Sequence, residues 1–247
     1  MEPNDYTVID LEMTGLSAKS DKVIEIGAAR FRNGVRAETY ATLVNPHTPI
    51  PQKVTELTGI TDNMVQKSGI REDDALAELI DFIGDDVLAG HNVVFDYSFL
   101  KQWAVNKKRP LQMMACDTLK IARQVLPGTE SKTLENLCTY YQIKREHAHR
   151  ALDDSIETGI LFEKLKEEIE KKIADGTMTE DTARSILAPK ALQYKAKRQT
   201  PATQHQIKQL MEFRQKHQIT EPVAWEVLTR NEASRIMDRY YAQFGRS

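Results

Sequence analysis

Apolar and polar positions alternate from Tyr6 to Met13, with β-branched residues among them, and this predicts a strand over Tyr6–Met13. Two more strands are predicted over Lys22–Arg32 and Arg36–Asn45. They are joined by Asn33-Gly34, a dipeptide that favours a two-residue hairpin turn. Pro46, Pro49 and Pro51 then break the pattern and predict an ordered loop. Helical periodicity follows over Asp73–Ile83, and a short strand over Asp86–Ala89 ends at Gly90. Val93–Asn106 is amphipathic, with Phe95, Phe99 and Trp103 on one side; Asp117–Leu126, Leu134–Tyr141 and Arg150–Ile173 read as further helices. A strand hairpin followed by alternating strands and helices predicts an α/β domain with a mixed sheet. No internal repeat or low-complexity run interrupts it.

The character of the chain changes near Pro189. Residues 189–247 carry 11 Lys or Arg and 5 Asp or Glu, a net +6, which leaves −8 for the remainder. Such asymmetry suggests a separate unit with a separate partner. Gln193–Thr200 is polar and basic and reads as a linker. Thr203–His217 spaces Ile207, Leu210, Met211 and Phe213 as a helix does. Pro222–Leu228 and Glu232–Phe244 are predicted as two more helices, and Thr229-x-x-Glu232 has capping-box spacing. The expected organisation is a main domain over 1–174, a helical extension and basic linker over 175–200, and a small helical module over 201–247. Within that module Gln209-Leu210-Met211-Glu212-Phe213 resembles a sliding-clamp-binding peptide, although the same residues fit an amphipathic helix. The basic tail could hold single-stranded nucleic acid through phosphate contacts, or be a solvated linker.

Composition narrows the class. With 40% hydrophobic and 28% charged residues in 247, the chain is neither collagen-like nor wholly disordered. A formal charge of −2 argues against a globally basic nucleic-acid coat but leaves room for a local patch. Cys116 and Cys138 cannot form a disulfide framework and read as small hydrophobes of a reducing cytosol. No stretch approaches the ~20 apolar residues of a membrane span, and Met1–Asp5 lacks an apolar signal core. A cytoplasmic protein without a membrane partner is expected.

Three short segments carry candidate chemistry. In Val8-Ile9-Asp10-Leu11-Glu12 the two acids share one face of a strand. Two carboxylates at the end of an apolar strand repel each other and are costly to bury unless a cation neutralises them. Thr14-Gly15 follows as a tight turn whose backbone N–H groups are expected to be exposed. In His91-Asn92-Val93-Val94-Phe95-Asp96, the acid precedes Phe99, Leu100 and Trp103 at offsets of three, four and seven, so Asp96 lies on the buried stripe of its helix. In His149-Arg150-Ala151-Leu152-Asp153-Asp154, Asp154 aligns with Leu161 and Leu165 and faces the core, while Asp153 is turned about 100° away. Alone, each segment has a plain reading as a solvated strand end, a helix-start carboxylate or a polar loop histidine. Together they form an acid cluster with one histidine, a residue type able to act as a general base, and the set suits two-metal phosphodiester hydrolysis.

In that order the segments resemble the motifs of the DEDDh, DnaQ-like 3′→5′ exonucleases, the family of the proofreading epsilon subunit of bacterial DNA polymerase III. Those motifs are Asp-x-Glu, His-Asn-x-x-Phe-Asp and His-x-Ala-x-x-Asp; Leu57-Thr58-Gly59-Ile60-Thr61 also resembles a family segment. The resemblance covers roughly residues 5–172 and implies an RNase H-like α/β fold: a mixed sheet flanked by helices, here followed by the small C-terminal helical module. It implies that Asp10, Glu12, Asp96 and Asp154 bind two divalent ions, Mg²⁺ or Mn²⁺, and that His149 is the general base. It further implies that Met13, Thr14, Asn92 and Phe99 bind the terminal nucleotide.

The expected function is release of nucleoside 5′-monophosphates from the 3′ end of single-stranded DNA. The chain departs from many proofreading-type members at Met13, and Asp10-Leu11-Glu12-Met13-Thr14-Gly15 is similar to the oligoribonucleases, so an RNA-directed exonuclease is the alternative. A catalytically silent binding module would be expected to lack a cluster acid, and all five positions are present. A polymerase or another protein is the expected partner of the C-terminal module. Proofreading, repair and nucleic-acid maturation all employ such a site.

Overall fold

The structure is a computed structural model that describes residues 3–126, 128, 131–145 and 149–246. Strand β1 (Tyr6–Met13) is central. It pairs antiparallel with β2 (Val23–Arg32), which pairs antiparallel with β3 (Val35–Asn45). Asn33 and Gly34 take φ of 50° and 73°, the left-handed pair that a tight hairpin turn requires. The Pro-rich loop leads into two short helices, α1 (Gln52–Thr58) and α2 (Asp62–Ser68), which the sequence reading missed. Strand β4 (Ile70–Arg71) then lies beside β3, and helix α3 (Glu72–Ile83) follows.

On the other side of β1, the parallel strand β5 (Val87–Gly90) leads into α4 (Val94–Asn106). Strand β6 (Met114–Asp117) pairs parallel with β5 and leads into α5 (Thr118–Val125). Helix α6 (Leu134–Tyr140) precedes the long α7 (Ala151–Ala174), which lies along β1 and β2. Helix α8 (Glu180–Leu187) is followed by the edge strand β7 (Lys190–Ala191), antiparallel to β6. The seven strands run in the order β4-β3-β2-β1-β5-β6-β7. One apolar layer gathers Ile9, Leu11, Ile26 and Leu79 with the α4 face of Leu100 and Trp103. The opposite layer packs Tyr6, Val8 and Phe31 against Phe162 and Leu165 of α7. Cys116 and Cys138 are free thiols buried in this second half, and burial pushes both up to about 12.

The C-terminal residues differ from expectation. Helices α9 (Gln204–Lys216) and α10 (Arg230–Phe244) are present, and the Thr229–Glu232 capping box is formed. No helix spans Pro222–Leu228, which folds as turns. The Ala202 N–H donates to the Leu228 carbonyl (2.8 Å) and Pro201 bridges Thr229, so the end of the segment is held extended. Too few residues remain to nucleate a helix. The module therefore has two helices rather than three. Leu210 and Phe213 are buried with Met237 and Tyr240, so Gln209–Phe213 follows its amphipathic-helix reading, with Leu210 and Phe213 turned inward. Nor does Gln193–Thr200 hang free. Gln102 of α4 donates to the Lys197 carbonyl (2.9 Å), and the Gln199 N–H donates to Asn106 (2.9 Å). Among the described residues, no helix is long and apolar enough to cross a membrane.

Candidate active site

The site is assembled where α7 starts above β1. On β2, Gly27 lies opposite Asp10 and Glu25 opposite Glu12, and directly opposed residues share a face. A Cβ on Gly27 would fall 2.0 Å from the Ala151 carbonyl carbon, so the absence of a side chain is what lets α7 begin on the sheet. Gly159 serves the same helix further along, since its Cβ would fall 2.2 Å from the Phe31 ring. Glu25 fastens the helix start: it accepts the Ala151 N–H (2.9 Å) and pairs with both Nε and Nη2 of Arg150, at 3.0 and 2.5 Å. This delivers Asp154, in the first turn of α7, to the acids of β1.

Asp96 arrives from the opposite side. Strands β1 and β5 pair only as far as Val8 and Ala89. Beyond them the Leu11 N–H donates instead to Asp96 Oδ1 at 3.1 Å, fixing the α4 carboxylate beside β1. The turn that launches α4 is clamped from β6. The Asn92 N–H, at φ 69°, donates to Asp117 Oδ1 (3.2 Å), and His91 bridges the Thr118 hydroxyl and the Lys132 carbonyl.

Ligand atoms of Glu12, His149 and Asp154 lie within 4.8 Å of one another. Asp10 is raised well above its usual range by burial, then by Asp96, Glu12, Asp154 and Glu25. Burial pushes Glu12 up to about 8, reinforced by Asp154, Glu25 and Asp96 and opposed by Arg150. Asp96 is pushed up to about 7 by burial, against the hydrogen bonds that hold it. Asp154 is also raised by burial, with Arg145 opposing. Four carboxylates thus share one negative field, and an oxygen-rich set with one imidazole fits a divalent cation such as Mg²⁺ or Mn²⁺.

The chain matches the exonuclease family model RNase_T over residues 7–162, a stretch that contains every one of these groups. It belongs to this exonuclease family. DNA polymerase III PolC-type of Clostridium perfringens is 37% identical over 171 residues, 68% of this chain and 12% of that protein. The chain therefore aligns with about an eighth of the length of the PolC relatives. DNA polymerase III subunit epsilon of Aquifex aeolicus is 33% identical over 165 residues, covering 66% of this chain and 81% of that one. Among solved structures, Exonuclease X in complex with 5′ overhanging duplex DNA superposes with a TM-score of 0.54 at 22% identity, over 74% of this chain and 99% of the other. E. coli Exonuclease I in complex with a dA16 oligonucleotide superposes at 0.59 and 18% identity, over 69% of this chain and 42% of that one. These likenesses establish the RNase H-like fold expected from the motifs. Residues 163–247 lie beyond the family match.

Within this exonuclease domain the four expected nucleotide-binding residues are differently disposed. Met13 is buried in the core, and Phe99 is buried edge-to-face against Phe95 at 5.8 Å. The Thr14 N–H is not exposed as the sequence suggested; it donates to the Lys22 carbonyl (2.8 Å), and the Thr14 hydroxyl accepts from the Lys22 N–H (2.9 Å). Asn92 is exposed at the α4 turn. Glu25, Arg145 and Asp117 escaped sequence reading. Glu25 had a readable signal, a charge inside the apolar run Val23–Ile26 of a central strand. Arg145 and Asp117 had none, because their partners are set by the fold.

Proposed function

We propose that this chain is a metal-dependent 3′→5′ exonuclease that releases nucleoside 5′-monophosphates from single-stranded DNA. Asp10, Glu12, Asp96 and Asp154 would hold two divalent ions, Mg²⁺ or Mn²⁺, and His149 would be the general base. The observation that carries the reading is the proximity of Glu12, His149 and Asp154 in the same negative field as Asp10 and Asp96. When bound, the ions supply charge neutralisation and Lewis-acid stabilisation of the phosphodiester.

The protein's own groups do the rest. Asp10 and Glu12 present their carboxylates from a rigid strand; Asp96 and Asp154 close on them from two helices. His149, just before α7, would take the proton of the attacking water on a ring nitrogen. Asn92, exposed at the α4 turn, would help receive the terminal nucleotide, with the Thr14 turn and the buried Met13 and Phe99 forming the wall behind it.

Support for DNA comes from the relatives, which are DNA polymerase III proteins, and from a structural neighbour held with a DNA oligonucleotide. A polymerase is accordingly the proposed partner, with residues 201–247 as the contact. Digestion of matched, 5′-labelled DNA and RNA oligomers with and without Mg²⁺ or Mn²⁺ tests the reading. Stepwise, metal-dependent shortening of DNA from its 3′ end is expected. No shortening of either strand overturns it, and preferential shortening of RNA selects the oligoribonuclease-like alternative.

A further inference from the structure

We infer that Arg145 is an internal counter-cation that occupies one carboxylate oxygen of Asp154 and so sets how tightly the site takes up a divalent ion. Its Nη2 lies 2.5 Å from Asp154 Oδ1, and its Nε lies 2.6 Å from Glu157 Oε2. The three side chains are only 15%, 10% and 5% exposed, so the ion pairs are shielded from water and salt. Glu157 lies one turn beyond Asp154 on α7, and its carboxylate parks the guanidinium in this position. Neither acid can move away, because both are on a helix whose start is fastened by Glu25. Arg145 itself lies outside any helix or strand.

Asp154 is one of the three residues whose ligand atoms cluster, so the guanidinium and an incoming ion draw on the same carboxylate. It also places a unit positive charge beside the site. Loading then requires Arg145 to give up Asp154 while Glu157 keeps hold of it. Arg145 is a positioning residue on this account. The inference rests on the reading of Asp154 as a metal-binding acid.

Mn²⁺ binding to the full chain, measured by titration calorimetry without nucleic acid, tests it. Two pairs are compared: wild type with R145Q, and E157Q with R145Q/E157Q. The second pair decides even if R145Q alone is unfolded by leaving Glu157 buried without a partner. In each pair loss of the guanidinium should tighten Mn²⁺ binding about tenfold, as expected for removing a nearby unit charge from a partly buried site. R145K, which keeps the charge but cannot bridge both carboxylates, should bind Mn²⁺ with an affinity between those of wild type and R145Q. Mn²⁺ binding that is unchanged or weaker without Arg145 in the folded variants overturns the inference while the exonuclease reading stands. A wild type that binds no Mn²⁺ overturns both.

Discussion

At the residue scale, the site stores repulsion that a cation relieves. Folding raises Glu12 from 4.5 to about 8 and Asp96 from 3.8 to about 7, chiefly through burial. Between the unfolded and folded values the folded chain holds more protons than the unfolded one, so its stability without metal should fall as pH rises from about 5 to 8. Melting in EDTA across that range checks the sign, and Mg²⁺ should flatten the slope because it replaces the protons. By the same logic Asp10→Asn should raise the EDTA melting temperature, abolish digestion and lose the stabilisation by Mg²⁺. Asp10 feels Asp96, Glu12, Asp154 and Glu25 together. If His149 is the proposed base, His149→Ala should drop turnover by roughly 10²–10⁴ while folding persists; single-turnover digestion beside a melting curve separates the two. The acids of this cluster were legible in sequence because strand and helix periodicity fix which way a side chain points. Arg145 was not, since only the return of α7 to the sheet brings Asp154 and Glu157 to it.

At the scale of elements, geometry depends on α7 lying directly on β2, and two glycines make that possible. Gly27→Ala would drive a Cβ into the Ala151 backbone, which cannot yield as a flexible side chain would. A loss of about 3 kcal/mol is expected, with activity falling further than stability because Asp154 rides on the displaced helix; urea denaturation and digestion rates measured together show whether they part. The long, strongly patterned elements were predicted almost to their ends: β1 over Tyr6–Met13, the Asn33-Gly34 hairpin, α3, α4 and α7. The elements that were missed are short, although β5 and α6, of four and seven residues, were read correctly. Strands β6 and β7 have four and two residues, and α1 and α2 seven each, so little of a period is available to mark them. The helix expected over Pro222–Leu228 failed for the opposite reason. Its local composition was permissive, but Pro201 and Ala202 bind the chain around Leu228 in an extended form.

Over the whole molecule, the distribution of cores says which parts the site needs. The acids and His149 all precede residue 155, yet the support beneath them reaches further along the chain. Strand β7 pairs with β6, Leu192 fills the core layer that holds Ile9 and Leu11, and Tyr194 packs against it. Leu210, Phe213, Leu228, Met237 and Tyr240 instead form a cluster of their own. Two truncations should therefore behave differently. A chain ending at Thr200 keeps β7, Leu192 and the hydrogen bonds that tie Lys197 and Gln199 to Gln102 and Asn106, and should digest a short oligonucleotide within a few-fold of the full chain. A chain ending at Ala188 uncovers β6 and empties the Leu192 site, a loss comparable to the 2–5 kcal/mol of a buried Leu→Ala change. It should melt well below the first, and its activity should fade as the assay temperature rises. Equal melting of the two would show that β7 and Leu192 contribute nothing to the frame. Inactivity of the longer truncation with an unchanged melting temperature would move residues 201–247 from partner binding into the handling of the strand itself.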